Sequence, residues 1–236
     1  MRSFDLPRYL SLLPLFCDLS PTELNRLAEG CTLRRLSRGD MVFHVGQPCD
    51  AFHVAVTGQV KLYGISPSGQ EKVIELVSPG HSFAEALMFT DKPYIINAQA
   101  LCDTLLLSVG KAAVMAEIAA DPRFALRMLG GISRRLHGLV HDVQAYALHS
   151  GTQRVIGYLL RDQPESEEPT AAEPITISLP VSKATLASRL SLTPEYFSRV
   201  LHELEAARLI EVDKRDIRIL DAQALARHGQ LQQPVH

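Results

Sequence analysis

Four glycines, Gly46, Gly58, Gly69 and Gly80, recur at spacings of 12, 11 and 11 residues and set the tightest limit on what the first half of this chain can become. Each sits in a turn-forming stretch: Gly46-Gln47-Pro48, Thr57-Gly58, Ser66-Pro67-Ser68-Gly69 and Ser78-Pro79-Gly80. Between and beyond the turns lie short apolar, β-rich runs at Met41–Val45, Ala51–Val56, Gln59–Ile65, Lys72–Val77 and Thr104–Val109. Glycine supplies the positive-φ positions that tight turns need. Short strands at such intervals predict an all-β sandwich or barrel over residues 32–109. Ahead of it, Ser20-Pro21-Thr22-Glu23 forms a capping box with proline at the first helical position, predicting a helix through about Glu29 that Gly30 ends.

Beyond the strands the period becomes helical. Asp121-Pro122 can open a long helix to about Ser150, and Leu129, Ile132, Leu136, Leu139, Val143 and Tyr146 follow at spacings of 3, 4, 3, 4 and 3. That is a heptad seam for a partner helix, although the same stripe can pack a helix on its own barrel. Gly130, Gly131 and Gly138 weaken this helix by up to ~1 kcal/mol each relative to alanine, and close backbone approach would explain them. A further helix is expected at 151–161, then an exposed Pro/Glu-rich loop at Gln163–Pro174. The tail after Arg227 is expected to fray.

The stretch Val181–Ile210 reads as two short helices around a break at Leu190–Leu192. Ser182 can cap the first, whose apolar side is Leu186, Ala187 and Leu190. Thr193 can cap the second, with Pro194 at its first position. At about 100° per residue, Phe197, Val200, Leu201 and Leu204 share one face of the second helix, and Glu195, Ser198, Arg199 and His202 the opposite one. A helix–turn–helix reader needs this division, with one face fixed to its domain and the other entering a major groove. Arginine can grip guanine, a carboxylate can accept from cytosine, and serine can do either. An ordinary helical hairpin with a solvated face shows the same split, but Ile210–Val212, the polar turn Asp213–Asp216 and Ile217–Leu220 add a β-hairpin, making the arrangement winged.

Composition narrows the function classes. With 236 residues the chain has room for two domains, and no apolar run approaches the ~18 residues of a membrane span. The N-terminus does not read as a signal peptide, so a cytoplasmic location is expected. Net charge is −2, and residues 150–236 carry ten Lys/Arg against twelve Asp/Glu, which is not the balance of a non-specific nucleic-acid binder. Five of those twelve acids lie at 162–173, in the loop. Cys17, Cys31, Cys49 and Cys102 form no C-x-x-C pair, which argues against zinc and leaves scattered reduced thiols as the expectation. No G-x-G-x-x-G, P-loop or H-E-x-x-H occurs, and Gly80-His81-Ser82-Phe83-Ala84 lacks the last glycine of a nucleophile elbow, so no enzyme is expected.

The Glu195-x-x-Ser198-Arg199 pattern, the wing and the glycine spacing together resemble the superfamily of the cyclic-AMP receptor protein and the fumarate–nitrate reduction regulator. The resemblance covers nearly the whole chain. It implies an α+β protein: a jelly roll of the cyclic-nucleotide-binding type with an N-terminal helix at 1–120, a central dimerisation helix at 121–150 and a winged helix–turn–helix at 151–236. The dimer would close through Leu129, Ile132, Leu136, Leu139, Val143 and Tyr146. Ser182, Thr193, Glu195, Ser198, Arg199 and His202 would contact a palindromic double-stranded operator. A loop near 163–174 would touch RNA polymerase.

Nucleotide-binding members carry Gly-Glu and, about ten residues on, Arg-Ser. Here Ala84-Glu85 keeps the carboxylate, Tyr94 or Ile95 takes the arginine position, and no arginine lies between Arg38 and Arg123. A buried phosphate needs cations or donors, so the sequence argues against cyclic AMP. Glu85 is then expected to satisfy backbone N–H groups. Leu139 and Val140 stand where the cyclic-AMP receptor has hydroxyls, and the resemblance thus implies an apolar effector pocket formed by Ala84, Glu85, Tyr94, Ile95, Leu136, Leu139 and Val140. Phe83-Ala84-Glu85-Ala86 and Arg135-Leu136-His137 are similar to the regulators of denitrification and nitric-oxide response. That branch implies haem as the sensor, with His81, His137, His141 and His149 as candidate ligands and none assigned. The cysteine cluster of the iron–sulfur members is absent. A cyclic-nucleotide or thiol-redox response is the alternative.

Overall fold

The computed structural model describes residues 4–13, 16, 19–160 and 174–231, so the expected polymerase loop lies outside the described residues. The chain divides into two compact units, Met1–Gly138 and Leu139–His236.

The first unit opens with α1 (Leu6–Ser11) and α2 (Pro21–Glu29). The capping box forms as expected: Ser20 Oγ accepts from the Glu23 amide, and the Glu23 carboxylate accepts from the Ser20 amide at 2.7 Å. The strands follow as β1 (Cys31–Leu36), β2 (Met41–Phe43), β3 (Ala51–Thr57), β4 (Val60–Ile65), β5 (Glu71–Val77) and β6 (Ser82–Phe83). After a short α3 (Glu85–Met88) come β7 (Asn97–Ala100), β8 (Thr104–Gly110) and α4 (Lys111–Ala120). They form two four-stranded antiparallel sheets, ordered β1-β8-β3-β6 and β2-β7-β4-β5, which is the expected jelly roll. Gly46, Gly58, Gly69 and Gly80 all have positive φ. Gly58 is doubly constrained, because an added Cβ would lie 2.6 Å from the Asp103 carbonyl. Three strands of this unit lie outside the runs read from sequence: β1 carries Arg34 and Arg35 without apolar alternation, β6 has only two residues, and β7, Asn-Ala-Gln-Ala, has no β-branched residue. A bidentate pair ties α2 to α4, the Arg26 guanidinium donating to both oxygens of the buried Glu117 carboxylate at 2.9 Å.

α5 (Arg123–Leu148) passes from the first unit into the second, which continues with α6 (Gly151–Leu160), β9 (Ile175–Ser178), α7 (Lys183–Arg189), α8 (Pro194–Ala206), β10 (Ile210–Asp213), β11 (Asp216–Ile219) and α9 (Ala222–Leu231). β9 makes the hairpin a three-stranded sheet, with Ile175 opposite Ile219 and Ile177 opposite Ile217. Of the tail expected to fray after Arg227, residues 228–231 are helical and the rest lies outside the described residues. The helical part belongs to α9, whose Gly229 packs on Ile156 and accepts from the Gln153 side chain at 3.0 Å.

An aromatic cluster fills one end of the jelly roll. The Tyr94 ring stacks on Phe43 with centroids 3.6 Å apart, and the His53 ring lies against Phe43 and Phe83. His53 is buried, with Nδ1 2.9 Å from Ser108 Oγ and Nε2 3.1 Å from the Tyr94 hydroxyl. Burial, aided by the Arg34 charge, pushes its pKa down to about 3. The imidazole is therefore neutral when folded and titrates near 6.5 when unfolded. Protons bind the unfolded chain more strongly, so stability is full above about pH 6.5 and is lost towards pH 3 at up to about 1.4 kcal/mol per unit. In denaturant titrations at pH 7, 6 and 5, His53→Gln is expected to flatten this slope relative to the parent chain.

Candidate nucleic-acid interface

Caps and apolar anchors fix the reading helix in place. The Thr193 hydroxyl accepts from the Tyr196 amide at 3.2 Å, and Pro194 occupies the first turn. Ser182 does the same for α7, accepting from the Thr185 amide at 3.1 Å. The Ser182 hydroxyl also lies 2.8 Å from Thr185 Oγ1. Phe197, Val200, Leu201 and Leu204 are buried, as are Leu186, Ala187 and Leu190 of the first helix and its cap. Burying four such side chains contributes roughly 6–12 kcal/mol before ordering costs. The break between the helices holds Ser191 at φ 56°, a left-handed residue that is not glycine.

Glu195, Ser198, Arg199 and His202 are all exposed on the opposite face. The Arg199 guanidinium lies 4.7 Å from the centre of the Tyr196 ring, and its Nε lies 3.8 Å from Glu203 Oε1. His202 Nδ1 lies 3.7 Å from Glu205 Oε2. Glu205 also accepts from the Val212 amide at 3.1 Å, which ties the hairpin to α8. At the hairpin turn, Lys214 and Arg215 are exposed, with Lys214 at φ 54°. Two adjacent cations at a hairpin turn suit backbone phosphates, a signal that the polarity of Asp213–Asp216 does not by itself carry.

The other expected sites are distributed differently. Leu129, Leu136, Leu139 and Val143 are exposed and Ile132 is partly so. Tyr146 departs from that row: it is half-buried, and its hydroxyl donates to the Arg189 carbonyl at 2.7 Å. In the first unit, Glu85 is buried at the start of α3 and Ala84 holds φ 70°, a conformation that costs an alanine about 1 kcal/mol. Tyr94 and Ile95 part company: Tyr94 lies in the aromatic cluster, its hydroxyl also donating to the Ala51 carbonyl at 2.9 Å, while Ile95 is 66% exposed. These two therefore do not line one apolar wall: one side chain is in the core and the other in solvent. His81, His137, His141 and His149 are exposed. Burial raises the Cys31 thiol to about 12 and raises Cys49, whereas Cys102 is exposed. No described helix is long and apolar enough to cross a membrane.

Comparison with known proteins agrees with this geometry. Residues 33–121 match the cyclic nucleotide-binding domain and residues 153–228 the Crp-like helix-turn-helix domain. A cyclic AMP receptor protein of Thermus thermophilus is 24% identical over 212 residues, covering 90% of this chain and 94% of the relative. The crystal structure of DNR from Pseudomonas aeruginosa is 34% identical, with a TM-score of 0.52, covering 95% of this chain and 98% of that one. FixK2 from Bradyrhizobium japonicum shares the fold at a TM-score of 0.71 and 20% identity, covering 84% of this chain and 96% of that one. A sensor jelly roll, a winged helix–turn–helix and a near full-length relative at this identity place the chain in the CRP/FNR family: it is a DNA-binding transcription regulator, not an enzyme.

Proposed function

We propose that the chain works as a homodimer whose two α8 helices read a two-fold symmetric operator, under the control of a small effector other than a cyclic nucleotide. The observation that carries the reading is the division of α8: four apolar side chains are buried while Glu195, Ser198, Arg199 and His202 stand in solvent. Arg199 suits a guanine O6/N7 pair, Glu195 a cytosine amine, and Ser198 either partner. Arg199→Ala is expected to weaken operator binding by about 1–3 kcal/mol per contact and to relax base choice at one position of each half-site. Fluorescence anisotropy with wild-type and base-substituted duplexes measures both.

The dimer rests on α5. Leu129, Leu136 and Val143 are 57%, 60% and 65% exposed, an apolar row too extended for a solvated helix to keep without a partner. A second copy of the same row suits it, because a two-fold interface is self-complementary. Leu136→Glu places a charge in that seam, and sedimentation is expected to show monomers. An intact dimer in this variant would mean that α5 pairs through another face.

The effector reading follows from the Phe83–Ala86 and Arg135–His137 stretches, similar to those of nitric-oxide-responsive regulators. No group of three His, Cys, Asp or Glu side chains suited to a metal ion occurs among the described residues. A haem, if bound, would be held by an imidazole of this chain. Two histidines fit. His81 Nδ1 lies 3.2 Å from the Pro79 carbonyl and His137 Nδ1 2.9 Å from the Ser133 carbonyl, the orientation that frees Nε2 for a metal. When bound, haem would supply the nitric-oxide-binding iron. Reconstituted protein is expected to show a Soret band distinct from free haem, which His81→Ala or His137→Ala shifts. A spectrum identical to free haem in buffer would remove the haem reading. The match to a cyclic nucleotide-binding domain favours the alternative, and heat released on titrating cyclic AMP would establish it.

A further inference from the structure

The turn between α7 and α8 is held from behind by α5 and α6. At its start, the Arg189 guanidinium donates to Asp142 Oδ2 at 2.6 Å and also to the Tyr146 hydroxyl. That hydroxyl in turn donates to the Arg189 carbonyl, so both the side chain and the main chain of one residue are gripped. Asp142 and Tyr146 are four residues apart on α5 and share a face. Arg154 of α6 completes the set: its Nη1 donates to the Leu190 carbonyl at 2.7 Å and the Ser191 carbonyl at 3.3 Å, with its guanidinium 5.9 Å from the centre of the Tyr146 ring. The carbonyls at 189, 190 and 191 would otherwise face water at a helix end. Gly151 opens α6 against the reader itself, since an added Cβ would lie 2.4 Å from the Tyr196 ring.

We infer that Asp142, Tyr146 and Arg154 are positioning residues that fix the angle of α8 to the end of α5 and thereby set the half-site spacing the regulator accepts. The inference rests on the dimeric reading above. In a dimer joined through α5, any play between α5 and α8 becomes play in the distance and rotation between the two reading helices. Each base pair added between half-sites rotates one against the other by about 35°. A rigid mount rejects that rotation and a loose one absorbs it.

The test uses the full chain and a duplex selected in vitro for tight binding to it, remade with the central spacer longer or shorter by one base pair. Wild-type protein is expected to lose at least tenfold in affinity on either change. Tyr146→Phe keeps the ring under Arg154 and removes both hydroxyl bonds, while Asp142→Asn removes the ion pair. Each is expected to lose threefold or less across the same series, with Asp142→Glu restoring selectivity. Should Tyr146→Phe fail to fold by circular dichroism, Asp142→Asn decides alone. Folded variants as spacing-selective as wild type would overturn the inference and leave the dimeric reading standing. Wild-type protein that binds one half-site as tightly as two would remove the dimeric reading and this inference with it.

Discussion

The second unit depends on one interaction: the burial of Phe197, Val200, Leu201 and Leu204 beneath α8. That contact fixes the rotation of the helix about its own axis. Once the rotation is fixed, the side chains facing outward are determined by the 3.6-residue period. The caps at Ser182 and Thr193 set where the helices begin, and the Glu205–Val212 bond sets where the hairpin stands beside them. DNA reading in this chain is thus a consequence of apolar packing on the far side of the helix.

The first unit keeps the jelly roll that matches the cyclic nucleotide-binding domain, with an aromatic interior. Tyr94, one of the two positions at which the family resemblance implies an arginine, turns its ring into the core, stacked on Phe43 and bonded to His53 and Ala51. A neutral, aromatic interior offers a cyclic phosphate little compensation for lost hydration. Ala84 keeps the left-handed backbone that suits the family's glycine. The raised thiols at Cys31 and Cys49 also favour packing over redox reactivity, because the thiolate is the reactive form.

Much of this was legible in the sequence because caps, turns and periodicity are local signals. The capping box at Ser20, the four positive-φ glycines, the α5 stripe and the split of α8 all act within a few residues of chain. What was missed lacked such signals. β1 and β7 are strands through their partners: each pairs with a more apolar neighbour, β8 or β4, while β1 carries two adjacent arginines and β7 is polar or small. α4 opens at Gly110 without a side-chain cap, and α9 is held by contacts to α6 far away in sequence. Tyr146 fitted the seam by spacing, yet its hydroxyl found Arg189, 43 residues on. At the site, the face of α8 could be read in advance, but the separation of Tyr94 from Ile95 required the core.

The ion pairs on the reader bear on how such a protein searches a genome. Arg199 lies near Glu203, His202 near Glu205, and Arg218 3.2 Å from Glu211. Arg199 and Arg218 are thus each matched by a carboxylate on the same surface before any nucleic acid arrives, while Lys214 and Arg215 stand exposed at the hairpin turn. Lingering on random DNA relies on unmatched cations displacing counterions from phosphates. Cations already matched to carboxylates add less to that lingering, so in a reader built this way the pair at the hairpin turn, rather than the face of α8, would govern how strongly the protein holds to random sequence.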